Sequence, residues 1–261
     1  MYDFEFVKPT SVEDAVAALK AEEAQALGGG QTLIPTLKQR LARPSKLVSL
    51  TGIAELRGVS REGDALVVGG ATTHATVAAE AGDYPALAAM ASHIGDPAVR
   101  NRGTLGGSLA NNDPASCYPA AVLGSGATVV TNAREIAADD YFQGMFTTAL
   151  EEGEIITRVR FPVPETANYQ KFLQPASRFA LVGVFVAKYA DGVRVAVTGA
   201  SEEGVFRWRQ AEDKLGSDFS AGALDGLTLP ADGMIGDLHG TPAYRAHLVG
   251  VLTRRAVDAA T

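Results

Sequence analysis

Two glycine-rich segments contain the residues that are best suited to bind an anionic ligand. They are residues 27–34 (LGGGQTLI) and residues 101–114 (NRGTLGGSLANNDP). Because glycine has no side chain, several backbone N–H groups can point into one concavity, and a ligand can approach where a Cβ would collide. Two such loops that face each other would grip a pyrophosphate with neutral amides, helped by the hydroxyls of Thr32, Thr104 and Ser108.

Neither segment matches a common nucleotide-binding motif. Leu33 stands where the Rossmann fingerprint has its third glycine, and no Gly-Lys-Ser or Gly-Lys-Thr follows, so a P-loop is excluded. A single glycine triplet is more often a turn than a ligand site. Two glycine segments in one chain, each after an apolar stretch, favour a nucleotide cofactor, although the pattern does not say which one.

Composition excludes several other classes of protein. The chain of 261 residues has 23 Lys and Arg against 30 Asp and Glu, and this net charge of −7 argues against nucleic-acid binding. One cysteine, Cys117, and four histidines without metal-binding spacing predict no metal site and no iron–sulfur cluster held by this chain alone. No apolar run reaches the ~18 residues of a membrane span, and the N-terminus lacks an apolar signal segment, so we expect a cytoplasmic protein.

The elements that must position these loops follow an α+β pattern. Apolar periodicity predicts helices over residues 12–23, 36–44, 73–81, 85–93, 119–123 and 205–215 and a last helix that begins at Thr241-Pro242; Ser11 and Thr241 are predicted to cap the first and the last of these. Strands are predicted over residues 46–50, 56–59, 65–68, 127–131, 154–161, 169–174, 179–189 and 193–199, the last two joined by a hairpin turn at residues 190–192. Residues 96–114 are too rich in glycine and asparagine for either element, and Pro162-Val-Pro164 is a plausible domain boundary.

The glycine segments also resemble a known family. The stretches GGGQTLIPTLKQRL and IGDPAVRNRGTLGGSLANNDPAS are similar to the two flavin-binding signatures of the medium subunit of molybdenum hydroxylases, the carbon monoxide dehydrogenase and xanthine dehydrogenase relatives. The likeness continues through YPAAVLGSGATVV, EIITRVRFP and YQKFLQPASRFALVGV and covers about residues 1–200. It implies non-covalently bound FAD in an α+β domain of the vanillyl-alcohol-oxidase (PCMH) type, followed by a small α+β domain with an antiparallel sheet and helices.

The resemblance also implies domain limits and site residues. The FAD-binding domain would cover residues 1–164, as two subdomains of about 1–54 and 55–164, and the C-terminal domain residues 165–261. The first signature would wrap the pyrophosphate and ribityl group, the second would clasp the diphosphate from the other side, and no catalytic residue is assigned. The cofactor-binding residues would be Gly28, Gly29, Gly30, Gln31, Thr32, Leu33, Ile34, Thr104, Leu105, Gly106, Gly107, Ser108, Asp113, Cys117, Ile156 and Lys171.

Several of these residues have a second interpretation. Cys117 stands where the family has an acidic residue, and a lone cysteine is more often a small buried apolar residue. Lys171 would contact FAD, yet a lysine on a strand is commonly just solvated, and Phe179 is a weaker match to an aromatic residue against the flavin ring. Arg100 and Arg102 either steer anions or pair with Asp96.

Three functions remain open from the sequence. The first is an electron-transfer flavoprotein subunit, an oxidoreductase component in which FAD takes single electrons from 2Fe-2S clusters on a small chain and releases a pair. The substrate would be oxidised on a large molybdopterin chain, and the family implies a dimer of heterotrimers. The second is a self-contained flavin oxidoreductase, which would need a base near the flavin. The third is an assembly module that has lost FAD.

Overall fold

The computed structural model describes residues 1–260, and the first glycine segment belongs to a small parallel sheet. Its strands are β1 (Glu5–Val7), β2 (Ala24–Leu27) and β3 (Lys46–Ser49), in the order β1-β3-β2. Parallel neighbours need crossover connections, and α1 (Val12–Leu19) and α2 (Leu33–Lys38) provide them. Ser11 caps α1 as predicted, because its hydroxyl accepts a hydrogen bond from the Asp14 amide at 3.1 Å.

The second glycine segment lies in a helical insertion into a five-stranded antiparallel sheet. The sheet order is β4-β5-β10-β6-β7, with β4 (Val59–Glu62), β5 (Ala65–Gly69), β6 (Thr128–Thr131), β7 (Glu135–Ala137) and β10 (Ile156–Pro162). Between β5 and β6 the chain forms α3 (His74–Glu80), α4 (Pro85–Ser92), α5 (Pro97–Arg100), α6 (Leu105–Asn111) and α7 (Cys117–Gly124). After β7 come α8 (Ala138–Tyr141) and a short ribbon of β8 (Phe142–Gly144) and β9 (Thr147–Thr148).

The last part of the chain is a four-stranded antiparallel sheet with helices on one face. The strands β11 (Thr166–Leu173), β12 (Ala180–Tyr189), β13 (Gly192–Ser201) and β14 (Gly204–Arg207) lie in chain order, and α9 (Arg209–Ser217) and α10 (Pro242–Ala259) pack against them. The α+β expectation is confirmed. No helix within residues 1–260 is both long and apolar enough to cross a membrane.

Four of the predicted elements were wrong. The strand expected over residues 56–59 is instead β4, which begins only at Val59, because Ala54–Leu56 form a short 3₁₀-helix. Residues 205–207 are not helical, because they pair as β14 with β13, and a short apolar run does not distinguish strand from helix. The helix expected over residues 36–44 is α2, which begins earlier and ends at Lys38, shortly before Arg40 turns the chain with a φ of 59°. Residues 96–114 are not irregular but contain α5 and α6.

Capping and tertiary contacts explain the helices in this glycine-rich segment. The Asp96 carboxylate accepts the Val99 amide at 2.9 Å and starts α5. The Thr104 hydroxyl accepts the Gly107 amide at 3.2 Å and starts α6. Glycine disfavours a helix by about 1 kcal/mol, a cost that such caps and packing can offset.

Hydrophobic cores connect the three sheets. The largest core joins the five-stranded sheet and its helices to one face of the four-stranded sheet, through Tyr169, Phe185 and Ala196. A second core lies between the other face and the helices α9 and α10, and a third surrounds α1. The domain boundary expected at residue 164 thus separates two sheets, but one hydrophobic core extends across it. The division into two domains stays a prediction. Thr261, the last residue of the predicted second domain, lies outside the described residues.

Candidate functional site

The two glycine loops lie directly against each other. A Cβ on Gly29 would overlap the carbonyl oxygen of Arg102, and a Cβ on Gly28 would lie 2.8 Å from Thr104 Oγ1 and 3.7 Å from the Gly107 Cα. Since no side chain fits between them, the loops can approach only backbone to backbone. The structure therefore brings together residues that are far apart in the sequence but were assigned to one site.

The first loop presents a run of unused hydrogen-bond donors. None of the backbone N–H groups of residues 28–33 donates to another part of residues 1–260. The turn closes at Ile34, whose amide donates to the Gly30 carbonyl at 3.1 Å, and Gly30 has a φ of 72°, which favours glycine. Successive free N–H groups in such a turn form a concavity that suits an anion.

The second loop differs from the expectation that both loops offer free amides. Its four N–H groups at residues 105–108 donate within the protein, to the carbonyls of Thr72, Gly70 and Thr104 and, from Gly107, to the Thr104 hydroxyl, at 2.8–3.2 Å. They are consumed because this segment forms the first turn of α6 and also bonds to the chain just after β5. What remains for a ligand is the exposed, side-chain-free surface of Gly107, because Thr104 is only 2% exposed and the Ser108 hydroxyl is hydrogen-bonded to that of Ser116 at 2.6 Å.

A cleft of about 360 Å³ opens beside the first loop. It is lined by Gly29, Gly30, Gln31, Ile34, Pro35, Lys38 and Arg102. Lys38 was not among the assigned residues, although it lies within the first flavin-like stretch, GGGQTLIPTLKQRL. The pairing of Arg102 with Asp96 is not seen within residues 1–260, because the Asp96 carboxylate caps α5 instead. Arg102 is thus free to face an anion.

A larger cavity of about 710 Å³ lies at the other end of α6. The seven residues of α6, at 1.5 Å each, make a helix about 10 Å long. Thr104 lies at its first end, and Asp113, which lines the larger cavity, lies just beyond its second end. Asn112 fixes this end, because its Nδ2 donates to the carbonyls of Gly144 and Thr147 at 2.8 and 2.9 Å. Phe179 also lines this cavity.

Of the sixteen assigned residues, only Gly29, Gly30, Gln31, Ile34 and Asp113 line one of these cavities. Three of the others lie outside both glycine segments. Cys117 is only 4% exposed and lies beside the Tyr169 hydroxyl, whose pKa is raised by burial and, to a lesser degree, by this thiol. That position fits the alternative interpretation of Cys117 as a buried core residue. Ile156 is buried in β10, and the Lys171 ammonium donates to the His93 carbonyl at 3.0 Å. Their roles toward the cofactor stay predictions.

His74 supports the second loop from below. Its backbone N–H donates to the Gly103 carbonyl at 2.9 Å, and a Cβ on Gly103 would lie 2.5 Å from the imidazole Nε2. Burial, followed by the nearby Arg100, lowers the pKa of His74 to about 4, so the ring is neutral at physiological pH. Nothing in the sequence indicated a function for His74. In the structure its backbone and its ring both contact Gly103 and so hold the second loop in place.

Comparison with known proteins places this arrangement in a family. Residues 2–164 match the family described as the FAD binding domain in molybdopterin dehydrogenase. The carbon monoxide dehydrogenase medium chain of Afipia carboxidovorans is 35% identical over 98% of this chain and 96% of its own length. The nicotine 6-hydroxylase medium subunit of Paenarthrobacter nicotinovorans is 37% identical over 97% of this chain and 95% of its own.

Solved structures agree over the same length. The carbon monoxide dehydrogenase of Oligotropha carboxidovorans superposes with a TM-score of 0.88 at 32% identity, covering 98% of this chain and 97% of that one. Quinoline 2-oxidoreductase from Pseudomonas putida 86 gives 0.87 at 30% identity, covering 98% and 96%. The predicted resemblance is confirmed, and the chain belongs to the family of FAD-binding domains of molybdopterin dehydrogenases.

Proposed function

We propose that this chain is the FAD-binding electron-transfer subunit of a multi-subunit molybdenum hydroxylase. The observation that carries the proposal is the pair of loops: six free amides on one side, and on the other a surface at Gly107 from which side chains are absent. A Cβ at Gly28 or Gly107 would fall within 3 Å of the Thr104 hydroxyl, so glycine at both positions is what lets the loops approach each other this closely. The free amides of the first loop are the donors that suit a diphosphate.

The positions of the two cavities support a dinucleotide rather than a mononucleotide. Residues 28–33 would hold the diphosphate, and α6 leads from there to the larger cavity, where Asp113 and Phe179 would surround the flavin ring. When bound, FAD supplies the ability to accept electrons singly and to release them in pairs. The chain itself binds and orients the cofactor and limits its exposure to water.

A self-contained oxidoreductase is the second candidate, because the larger cavity contains titratable groups. Asp237 is the carboxylate there with the most hydrogen bonds. Burial acts to raise its pKa, but the Arg245 guanidinium at 2.7 Å and the amides of His239 and Gly240 hold that pKa below its usual value. A carboxylate held in its ionised form by three donors is a poor proton acceptor. Asp237 is therefore unsuited to act as the base that a self-contained oxidoreductase would need.

The partners follow from the relatives, which are named as medium chains or subunits. We expect a large molybdopterin subunit, a small subunit with 2Fe-2S clusters, a dimer of heterotrimers and a cytoplasmic location. Exposed apolar side chains near the larger cavity support a partner contact there: Met145, Phe146 and Phe179 are 37%, 60% and 53% exposed, and Leu238, between two lining residues, is 90% exposed.

The test is the flavin content of the purified full-length chain. We expect yellow protein with the absorption of oxidised flavin and, after denaturation, one released FAD per chain. A colourless protein that takes up no added FAD would contradict the proposal and support the assembly module. Reduction of the bound flavin by an organic substrate without partner chains would instead support the self-contained oxidoreductase.

A further inference from the structure

The second glycine loop has no free backbone amides at residues 105–108 with which to bind the charged phosphates of a dinucleotide. A dinucleotide carries two negative charges on its phosphates, and the amides of residues 105–108 are already bonded within the protein. Hydrogen bonds in which the donor or the acceptor is ionised are roughly twice as strong as those between neutral groups, and Arg can bind a phosphate through two parallel bonds. Cations in the cleft beside the first loop would therefore change the binding free energy of a diphosphate considerably.

Two cations line this cleft, and no acidic residue does. The lining contains Lys38 and Arg102 but neither Asp nor Glu, in a chain whose net charge is −7. The cations come from opposite sides: Lys38 ends α2, and the Arg102 carbonyl lies against Gly29. Neither forms an ion pair within residues 1–260.

Other cations close in sequence are engaged elsewhere. The guanidinium groups of Arg40 and Arg43 lie over the Tyr2 ring, at 5.7 and 5.2 Å from its centre. Arg100 donates to the carbonyls of Ile94 and Gly95 at 3.0 and 3.3 Å. The positive charge of the cleft is therefore local to Lys38 and Arg102.

We propose that Lys38 and Arg102 determine the specificity of this site for a ligand with a diphosphate bridge. They neutralise the two phosphates, while the amides of residues 28–33 fix the position of the bridge. The site then selects a flavin dinucleotide over a flavin with one phosphate or none. This inference rests on the proposed function and adds two residues that were not among the assigned cofactor-binding residues.

The experiment compares flavins that differ only in phosphate content. The full-length chain is stripped of flavin, and the Kd values of FAD, FMN and riboflavin are measured by fluorescence quenching. We expect Lys38→Gln and Arg102→Gln each to weaken FAD about 10-fold, or about 1.4 kcal/mol, and to leave riboflavin unchanged. Arg40→Gln, a nearby cation outside the cleft, is the matched control and should leave all three values unchanged.

Salt supplies a second measurement that does not depend on any variant. The affinity of the unaltered chain for FAD should fall as NaCl rises from 20 to about 500 mM, because exposed charges are screened, while that for riboflavin stays constant. An FAD affinity that is insensitive to both salt and the two substitutions would overturn the inference and leave the proposed function intact. Failure of the unaltered chain to bind FAD at all would overturn both.

Discussion

Replacing Gly107 by valine is expected to abolish FAD binding while the fold persists. Gly107 is exposed, and an added Cβ would meet only the Thr104 hydroxyl, at 2.9 Å. Displacing that hydroxyl costs about 1 kcal/mol of helix capping, which corresponds to about 2–4 °C in the melting temperature of a chain of this size. The valine methyl groups, however, would cover the exposed surface of Gly107 that we assign to the diphosphate, so we expect FAD to bind at least about 100-fold more weakly, or about 2.7 kcal/mol.

The neighbouring glycine provides the control. An added Cβ on Gly106 would lie 2.7 Å from the Gly70 carbonyl oxygen, and this backbone cannot move aside as a side chain can. Gly106→Val should therefore overpack the protein by about 3 kcal/mol or more and lower the melting temperature by about 6–12 °C. Both variants are assayed without flavin by thermal unfolding and with FAD by absorbance. If Gly107→Val retained one FAD per chain, the assignment of the diphosphate to the surface at Gly107 would be refuted. If it melted at as low a temperature as Gly106→Val, the expectation that the fold persists would be refuted.

Three further outcomes are expected. The pKa of His74 falls from 6.5 to about 4 on folding, so the unfolded chain binds more protons between these pH values. The free energy of unfolding should therefore decrease as the pH drops from 6.5 to about 4. In urea unfolding at a series of pH values, His74→Gln should reduce this decrease by up to roughly 3 kcal/mol. Burial raises the pKa of Asp139, but the Arg194 and Arg207 guanidinium groups hold it below its usual value, and Asp139→Asn should lower the free energy of unfolding by about 1 kcal/mol, with Asp140→Asn as an unpaired control; equal effects would count against the ion-pair network. Cys117→Ala should leave the FAD content unchanged, since the thiol is buried in the core, and a loss of flavin from a normally folded variant would favour the cofactor-contact interpretation.

The sequence was sufficient for the local elements whose signals lie within a few residues. Ser11 and Thr241 were identified as helix caps, and their hydroxyls accept the amides of Asp14 and Tyr244 at 3.1 and 3.2 Å. The hairpin at residues 190–192 follows the same logic, since Tyr189 pairs with Gly192. Such elements are predictable because capping and turn formation depend on neighbours in the chain.

The failures share a different cause. The segment at residues 96–114 has the composition of a loop, and its helix α6 is stabilised by the distant Gly70 and Thr72 carbonyls, which accept its first amides. The strand at residues 205–207 exists because β13 lies beside it. In both cases the deciding partner is remote in sequence, so the local pattern contains no information about it.

The sequence alone determined an α+β fold and, through its resemblance, which family the chain joins, and it predicted a nucleotide cofactor at the two glycine segments. Only the tertiary structure decided how the two segments share the task. The amides of residues 28–33 stay free, and the turn is closed by the bond from the Ile34 amide to the Gly30 carbonyl. In the second segment, two amides donate to the chain that follows β5 and two donate to Thr104. Lys38 and Arg102 enter the site for the same reason: packing backbone against backbone at Gly29 places two distant cations on one cleft.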